Sequence, residues 1–175
     1  MNTTTKSPRR VLTYILKEVD EAKKEKLAGY KPIDGYLEII DNCEEVDLDE
    51  INPEFHSELL IRMMKNFSFY AAYISRWIEQ SAPTNLSEEL AIEMIRAGQS
   101  SFLCDNLVCF STLPASIAIA LIRTRDRRIC YLVARFVRKF YRFSHKEIAL
   151  CLIEEGFEDI LRQEIDSFYR ESLES

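Results

Sequence analysis

A chain of 175 residues that is 47% hydrophobic and 11% aromatic can bury a sizeable core, which excludes a disordered polypeptide. Only four Gly and five Pro occur, too few for a fold of many short strands and tight turns, so long helices with short connections are expected. The net charge of −6 argues against general nucleic-acid affinity, but it averages an acidic and a basic segment that differ sharply.

Residues 1–7 read as a polar tail. Val11, Leu12, Ile15, Leu16, Val19 and Ala22 then recur at helical spacing, which predicts an amphipathic N-terminal helix over residues 8–27. The apolar run inside it is too short for the core of a signal peptide. Gly29, Pro32 and Gly35 interrupt the pattern. A short helix is expected around residues 36–45, burying Leu37, Ile40 and Cys43, followed by an acidic loop or short turn over residues 46–51. Residues 34–58 hold ten acids and no Lys or Arg. Glu44, Glu45, Asp47 and Asp49 form the densest part and are candidate partner-binding residues. They could cover a basic patch on a partner, or belong to a solvated and partly mobile connection. Calcium-loop spacing is absent.

From residue 52 onward the chain repeats itself. Leu59-Leu60-Ile61-Arg62-Met63-Met64, Leu90-Ala91-Ile92-Glu93-Met94-Ile95, Ile117-Ala118-Ile119-Ala120-Leu121-Ile122 and Ile148-Ala149-Leu150-Cys151-Leu152-Ile153 share one frame. Their starts are 31, 27 and 31 residues apart. Each is followed by a second apolar segment that ends near an aromatic: Trp77, Phe110, Phe136 and Phe168. Units of about 30 residues holding two short helices indicate stacked helical hairpins. The expected fold is therefore all-α, with about four irregular repeats of 27–31 residues over 52–175 after the N-terminal helix, in a single domain 1–175. Asn52 with Pro53, Asn85 with Glu88, Pro114, and Ser144 with Glu147 supply helix-start chemistry at each repeat. Ile95, Ile122 and Ile153 are expected as buried equivalents.

The segment Ile153-Glu154-Glu155-Gly156-Phe157-Glu158-Asp159-Ile160-Leu161 resembles the turn between the two helices of an ankyrin repeat, with a fainter likeness over residues 95–103. The Thr-Pro-Leu-His start motif of that family is missing, the spacing is not about 33, and the tetratricopeptide pattern is absent. The chain thus resembles an irregular α-solenoid without belonging to either family. The resemblance implies a scaffold that binds other macromolecules.

Residues 123–146 carry nine basic side chains, with Asp126 the one acid. Along the second helix expected for the third repeat, Arg128, Tyr131, Arg135, Arg138, Lys139 and Arg142 fall within about a third of the circumference. Ile129, Leu132, Val133, Phe136, Val137 and Phe140 would cover the other side. Such a stripe could dock an acidic protein face or a phosphate backbone through planar Arg contacts. It could equally be a solvated face paired with Glu154, Glu155, Glu158 and Asp159.

No catalytic, cofactor or metal motif stands out. His56 and His145 lie far apart at helix starts, where exposure is expected, and neither has ligand neighbours. The five Cys form no C-x-x-C pair, which points to a reducing compartment and buried free thiols. Phe69, Tyr70, Tyr73 and Trp77 make an aromatic helix suited to core packing, where an exposed Tyr or Trp would instead be an interface anchor. Residues 106–122 are uncharged but interrupted by Pro114, and fall short of the roughly 20 needed to cross a bilayer. The expected function is a non-enzymatic, cytoplasmic protein-binding module, with an inhibitor or immunity-type antidote as one form of it. The alternative is a nucleic-acid-binding helical repeat using the Arg stripe of residues 123–142. Self-association through opposite charged ends is a further expectation.

Overall fold

A computed structural model describes residues 33–169, so the expected helix over 8–27 and the tail 1–7 lie outside the described residues. The described residues form ten α-helices and no strand, an all-helical fold. The chain divides between Ser75 and Arg76 into two compact units.

The first unit holds α1 (Asp34–Asp41), α2 (His56–Met64) and the start of α3 (Phe67–Ser81). Helix α1 packs on α2. It ends earlier than the spacing predicts, because Cys43 turns into the left-handed region (φ 55°) and the Glu44 N–H donates back to the Ile39 carbonyl. Tyr36 and Ile40 are buried, whereas Leu37 and Cys43 are only half-buried. Of the loop or short turn expected over residues 46–51, the turn is found, and it is better anchored than its acidity suggests. Val46, Leu48 and Ile51 are buried, and Leu48–Glu50 is a 3-10 turn.

Among its described residues the second unit contains three helical hairpins: α4 (Glu88–Arg96) with α5 (Ser100–Asp105), α6 (Ala115–Ile122) with α7 (Arg127–Arg135), and α8 (His145–Glu154) with α9 (Glu158–Gln163). First helices stack on first helices, α4 on α6 and α6 on α8, while α5, α7 and α9 form the second layer. A last short helix, α10 (Ile165–Tyr169), packs on α7 and on the 3-10 turn Val137–Lys139. The repeated frame supplies the buried i, i+4 pairs Leu90/Met94, Ile117/Leu121 and Ile148/Leu152, none more than 3% exposed. Leu59 and Met63 form the same pair on α2. Burying each such side chain contributes roughly 1.5–3 kcal/mol.

The three hairpin turns share one device. The N–H groups of Gly98, Arg125 and Gly156 donate to the carbonyls of Ile95, Ile122 and Ile153, each at 3.0 Å. All three donors have positive φ (73°, 59° and 87°), a conformation that Gly adopts without a Cβ penalty and Arg does not. Ile95, Ile122 and Ile153 are therefore equivalent in the backbone. Their expected common burial fails: Ile122 is fully buried, Ile95 is half-buried and Ile153 is 46% exposed. Ile122 ends α6, which packs on the next first helix, α8, whereas Ile153 belongs to the last hairpin of the described stack.

Backbone bridges join successive hairpins. Leu86 pairs with Phe110 and Leu113 pairs with Phe140 in isolated parallel bridges. The linker between α5 and α6 thus faces backward through Phe110 and forward through Leu113. Both Phe rings are among the largest fully buried side chains.

The helix starts differ in detail from the sequence pattern. Asn52 accepts from the Glu54 N–H, as expected of a cap, but it opens a 3-10 turn (Pro53–Phe55) ahead of α2. Ser87 rather than Asn85 caps α4, accepting from the Leu90 N–H. Pro114 sits just before α6, one position earlier than expected. Ser144 makes no capping bond, because Arg142–Ser144 is already a 3-10 turn feeding α8. At α2 and α8 a histidine has a related role. His56 and His145 each begin a helix after a 3-10 turn and place Nε2 against the carbonyl five residues back, Ile51 at 2.9 Å and Phe140 at 3.3 Å. Both rings are half-buried, not exposed as the sequence pattern predicts.

Candidate interaction surfaces

The acidic turn is built from alternation. Val46, Leu48 and Ile51 point into the first unit, so Asp47, Asp49 and Glu50 point out. Three side chains from α2 and α3 then fix its backbone. The Tyr70 hydroxyl bonds the carbonyls of Ile40 and Glu44 at 3.2 and 2.7 Å. The Leu48 N–H donates to Tyr73 Oη at 2.8 Å. His56 Nε2 donates to the carbonyls of Leu48 and Ile51 at 2.8 and 2.9 Å, which requires the tautomer protonated at Nε2. Asp47 adds a local cap by accepting from the Asp49 N–H. The turn is a held element rather than the loose connection weighed from the sequence.

Glu44, Glu45, Asp47 and Asp49 are all exposed and form no ion pair among the described residues. Asp41, a few residues earlier, is neutralised by Arg62, whose Nε and Nη2 donate to Oδ1 and Oδ2 at 2.5 Å each. That hydrogen bond holds its carboxyl below the usual carboxylate range. Burial, with the charges of Glu44 and Asp41 nearby, pushes the Tyr70 phenol up to about 12, so the donor that secures the turn stays protonated over the physiological range. Burial also raises the Tyr73 phenol.

The Arg-rich segment is arranged differently from the stripe the sequence suggests. Helix α7 stops at Arg135, Val137–Lys139 is a 3-10 turn, and Phe140 is extended. The cause is Leu113, whose N–H and C=O engage Lys139 O and the Tyr141 N–H and pull the chain out of the helix. Arg128, Tyr131 and Arg135 remain on α7, Arg138 and Lys139 lie on the turn, and Arg142 starts the next hairpin. The apolar side fares better: Ile129, Val133, Val137 and Phe140 are buried, while Leu132 and Phe136 are half-buried.

Much of the positive charge is neutralised. Arg125 pairs with Glu155 at 2.8 Å, Arg127 with Asp159, and Arg128 with Asp105 at 2.5 Å. Glu155 and Asp159 do belong to the next hairpin, as the paired-face alternative expects, but their partners flank the stripe rather than lie on it. Glu158 instead bonds Arg162 on its own helix. Arg135 donates to Tyr131 Oη at 2.9 Å, and Lys139 to the Val108 carbonyl at 3.3 Å. Arg135 and Arg138 are exposed and form no ion pair among the described residues. Exposed Tyr141 and Phe143 flank Arg142. Asp126, the lone acid in the segment, caps α7 by accepting from the N–H groups of Arg128 and Ile129. Its position just before an apolar-periodic stretch was the available sequence signal.

The thiols are not poised for nucleophilic work. Cys104, Cys109, Cys130 and Cys151 are buried. Burial pushes Cys104 up to about 12 and Cys130 up to about 11, far from the thiolate a nucleophile or metal ligand requires. Among the described residues no three His, Cys, Asp or Glu side chains converge as a metal-binding group. No helix among them is long and apolar enough to cross a membrane. On α3, Tyr70 and Trp77 are buried and Tyr73 is half-buried, whereas Phe69 is exposed and meets Tyr70 edge-on at 4.8 Å. Comparison with family models, with curated proteins and with solved structures yields no match.

Proposed function

We propose that this chain is a non-enzymatic protein-binding module that presents its acidic turn to a basic face of a partner protein. The observation that carries this is the pinning of Glu44, Glu45, Asp47 and Asp49 on one turn, without cations, by Tyr70, Tyr73 and His56. A charged surface fixed before encounter loses little entropy on binding and steers an oppositely charged partner during approach. An inhibitor or immunity-type antidote that covers a basic protein is the form of binding this suits best. A cytoplasmic setting is consistent with five unpaired cysteines, four of them buried.

Capture from a host lysate tests the proposal. The wild-type chain is expected to retain a basic protein, and the variant E44Q/E45Q/D47N/D49N to lose it. R135E/R138E should retain it. Loss only in R135E/R138E would reject the acidic turn as the working surface. That outcome would favour a second reading, supported by Arg138 and the exposed rings of Tyr141 and Phe143. Basic residues interleaved with exposed aromatics suit a single-stranded nucleic acid, on which rings can stack. Nuclease-sensitive retention would mark it.

A further inference from the structure

Each first helix in the second unit presents a face to the next first helix in the stack. On α6, which packs on α8, the last residue Ile122 is fully buried. On α8 the corresponding face is bare: Leu150 and Ile153 are 49% and 46% exposed, and Phe143 just ahead of the helix is 99% exposed. At 100° per residue, Lys146, Leu150, Ile153 and Glu154 lie on one side of α8, opposite the buried Ile148, Cys151 and Leu152. Two exposed apolar side chains on one short helix, with a third on the turn that leads into it, exceed the scatter of single exposed residues on a solvated face.

The charges beside this ridge identify what fits it. Lys146 and Glu154 flank Leu150 symmetrically, four residues before and four after. Neither forms an ion pair among the described residues. When two copies of α8 run antiparallel about Leu150, Lys146 of each meets Glu154 of the other and Leu150 meets Leu150. The face is thus self-complementary in charge and apolar at its centre, the property a two-fold interface requires.

We infer that the exposed face of α8 is a homodimer interface, occupied by the same face of a second copy. It continues the stack of first helices across a two-fold axis. It differs from pairing of the acidic turn with the Arg-rich hairpin, because one face meets itself.

The test uses the full chain in sedimentation equilibrium at tens of micromolar, with circular dichroism to verify folding. The wild type is expected to show a concentration-dependent dimer. K146E alone places like charges together at both flanks, as does E154K alone, so each should weaken dimerisation about tenfold or more. Mixing the two variants should restore a heterodimer. The carboxylate introduced by K146E then meets the ammonium introduced by E154K, and the unchanged Glu154 of the first copy meets the unchanged Lys146 of the second. I153D should abolish both species. A wild type that stays monomeric throughout would overturn the inference, as would single variants that dimerise like wild type or a mixture that forms no heterodimer. Recovery in the mixture also excludes misfolding as the cause of the single-variant losses.

Discussion

The acidic turn and the Arg-rich hairpin are built by opposite strategies. In the turn, side-chain hydroxyl and imidazole groups hold the backbone, and the carboxylates of Glu44, Glu45, Asp47 and Asp49 are left without cations. In the hairpin, Val133, Val137 and Phe140 hold the backbone by burial, and Arg125, Arg127 and Arg128 are answered by acids of neighbouring elements. A run of like charge in a sequence therefore says little about surface potential. What matters is whether the fold brings the opposite charge alongside.

The contrast can be broken most forcefully at Phe140. Phe140→Ala removes a fully buried ring while leaving the backbone bridge to Leu113 in place, and should cost about 3–5 kcal/mol in urea unfolding. A loss under about 1 kcal/mol would mean that burial is not what holds the hairpin. Ile153→Ala, at a position exposed in the single chain, should leave stability nearly unchanged in the same measurement at a concentration where the chain is monomeric.

The turn should respond to a single oxygen. Tyr70→Phe keeps the ring but removes the donor to Ile40 and Glu44, and should cost about 1–3 kcal/mol. Amide hydrogen exchange should rise over residues 44–51 and stay unchanged over 127–140. Equal change in both regions would show that the turn is not pinned locally.

Alkaline titration sharpens the comparison further. Folding raises Cys104 from an ordinary 9.0 to about 12, and Tyr70 from 10.0 to about 12. In both cases the unfolded chain gives up its proton first. Stability should therefore be level below about pH 9 and fall as pH rises toward 12. In Tyr70→Phe the fall should become shallower. A melting temperature that increases across this window would contradict the burial of these groups.

The smallest effect is expected at Arg127. Its pair with Asp159 lies in solvent, where screening and side-chain entropy offset the attraction. Arg127→Ala should leave unfolding unchanged within error. It unmasks the Asp159 carboxylate, so it would speed association with a basic partner that approaches near α9. An unchanged association rate is the outcome expected when the acidic turn alone engages the partner.

Helical content, the hairpin periodicity and the buried i, i+4 pairs were legible in the sequence. Leu90/Met94, Ile117/Leu121 and Ile148/Leu152 recur at the one spacing that puts both members on the same side of a helix. The candidate carboxylates Glu44, Glu45, Asp47 and Asp49 were legible as a cluster, because they are adjacent along the chain. Their rigidity was not, since Tyr70, Tyr73 and His56 reach the turn from later in the sequence. The basic stripe was legible as composition but not as geometry. Helical spacing presumes that the helix continues, and Leu113 ends that run by bonding Lys139 and Tyr141 from the linker that precedes α6.

By itself, then, the order of residues determined what local periodicity can determine: which segments coil and which faces are apolar. Tertiary structure alone decided which equivalent positions are covered and which charges are answered. Ile122 and Ile153 occupy the same place in their hairpins, yet one is buried and the other exposed. The physical reason is that burial belongs to a pair of surfaces. A repeat written in one helix specifies only its own half of that pair.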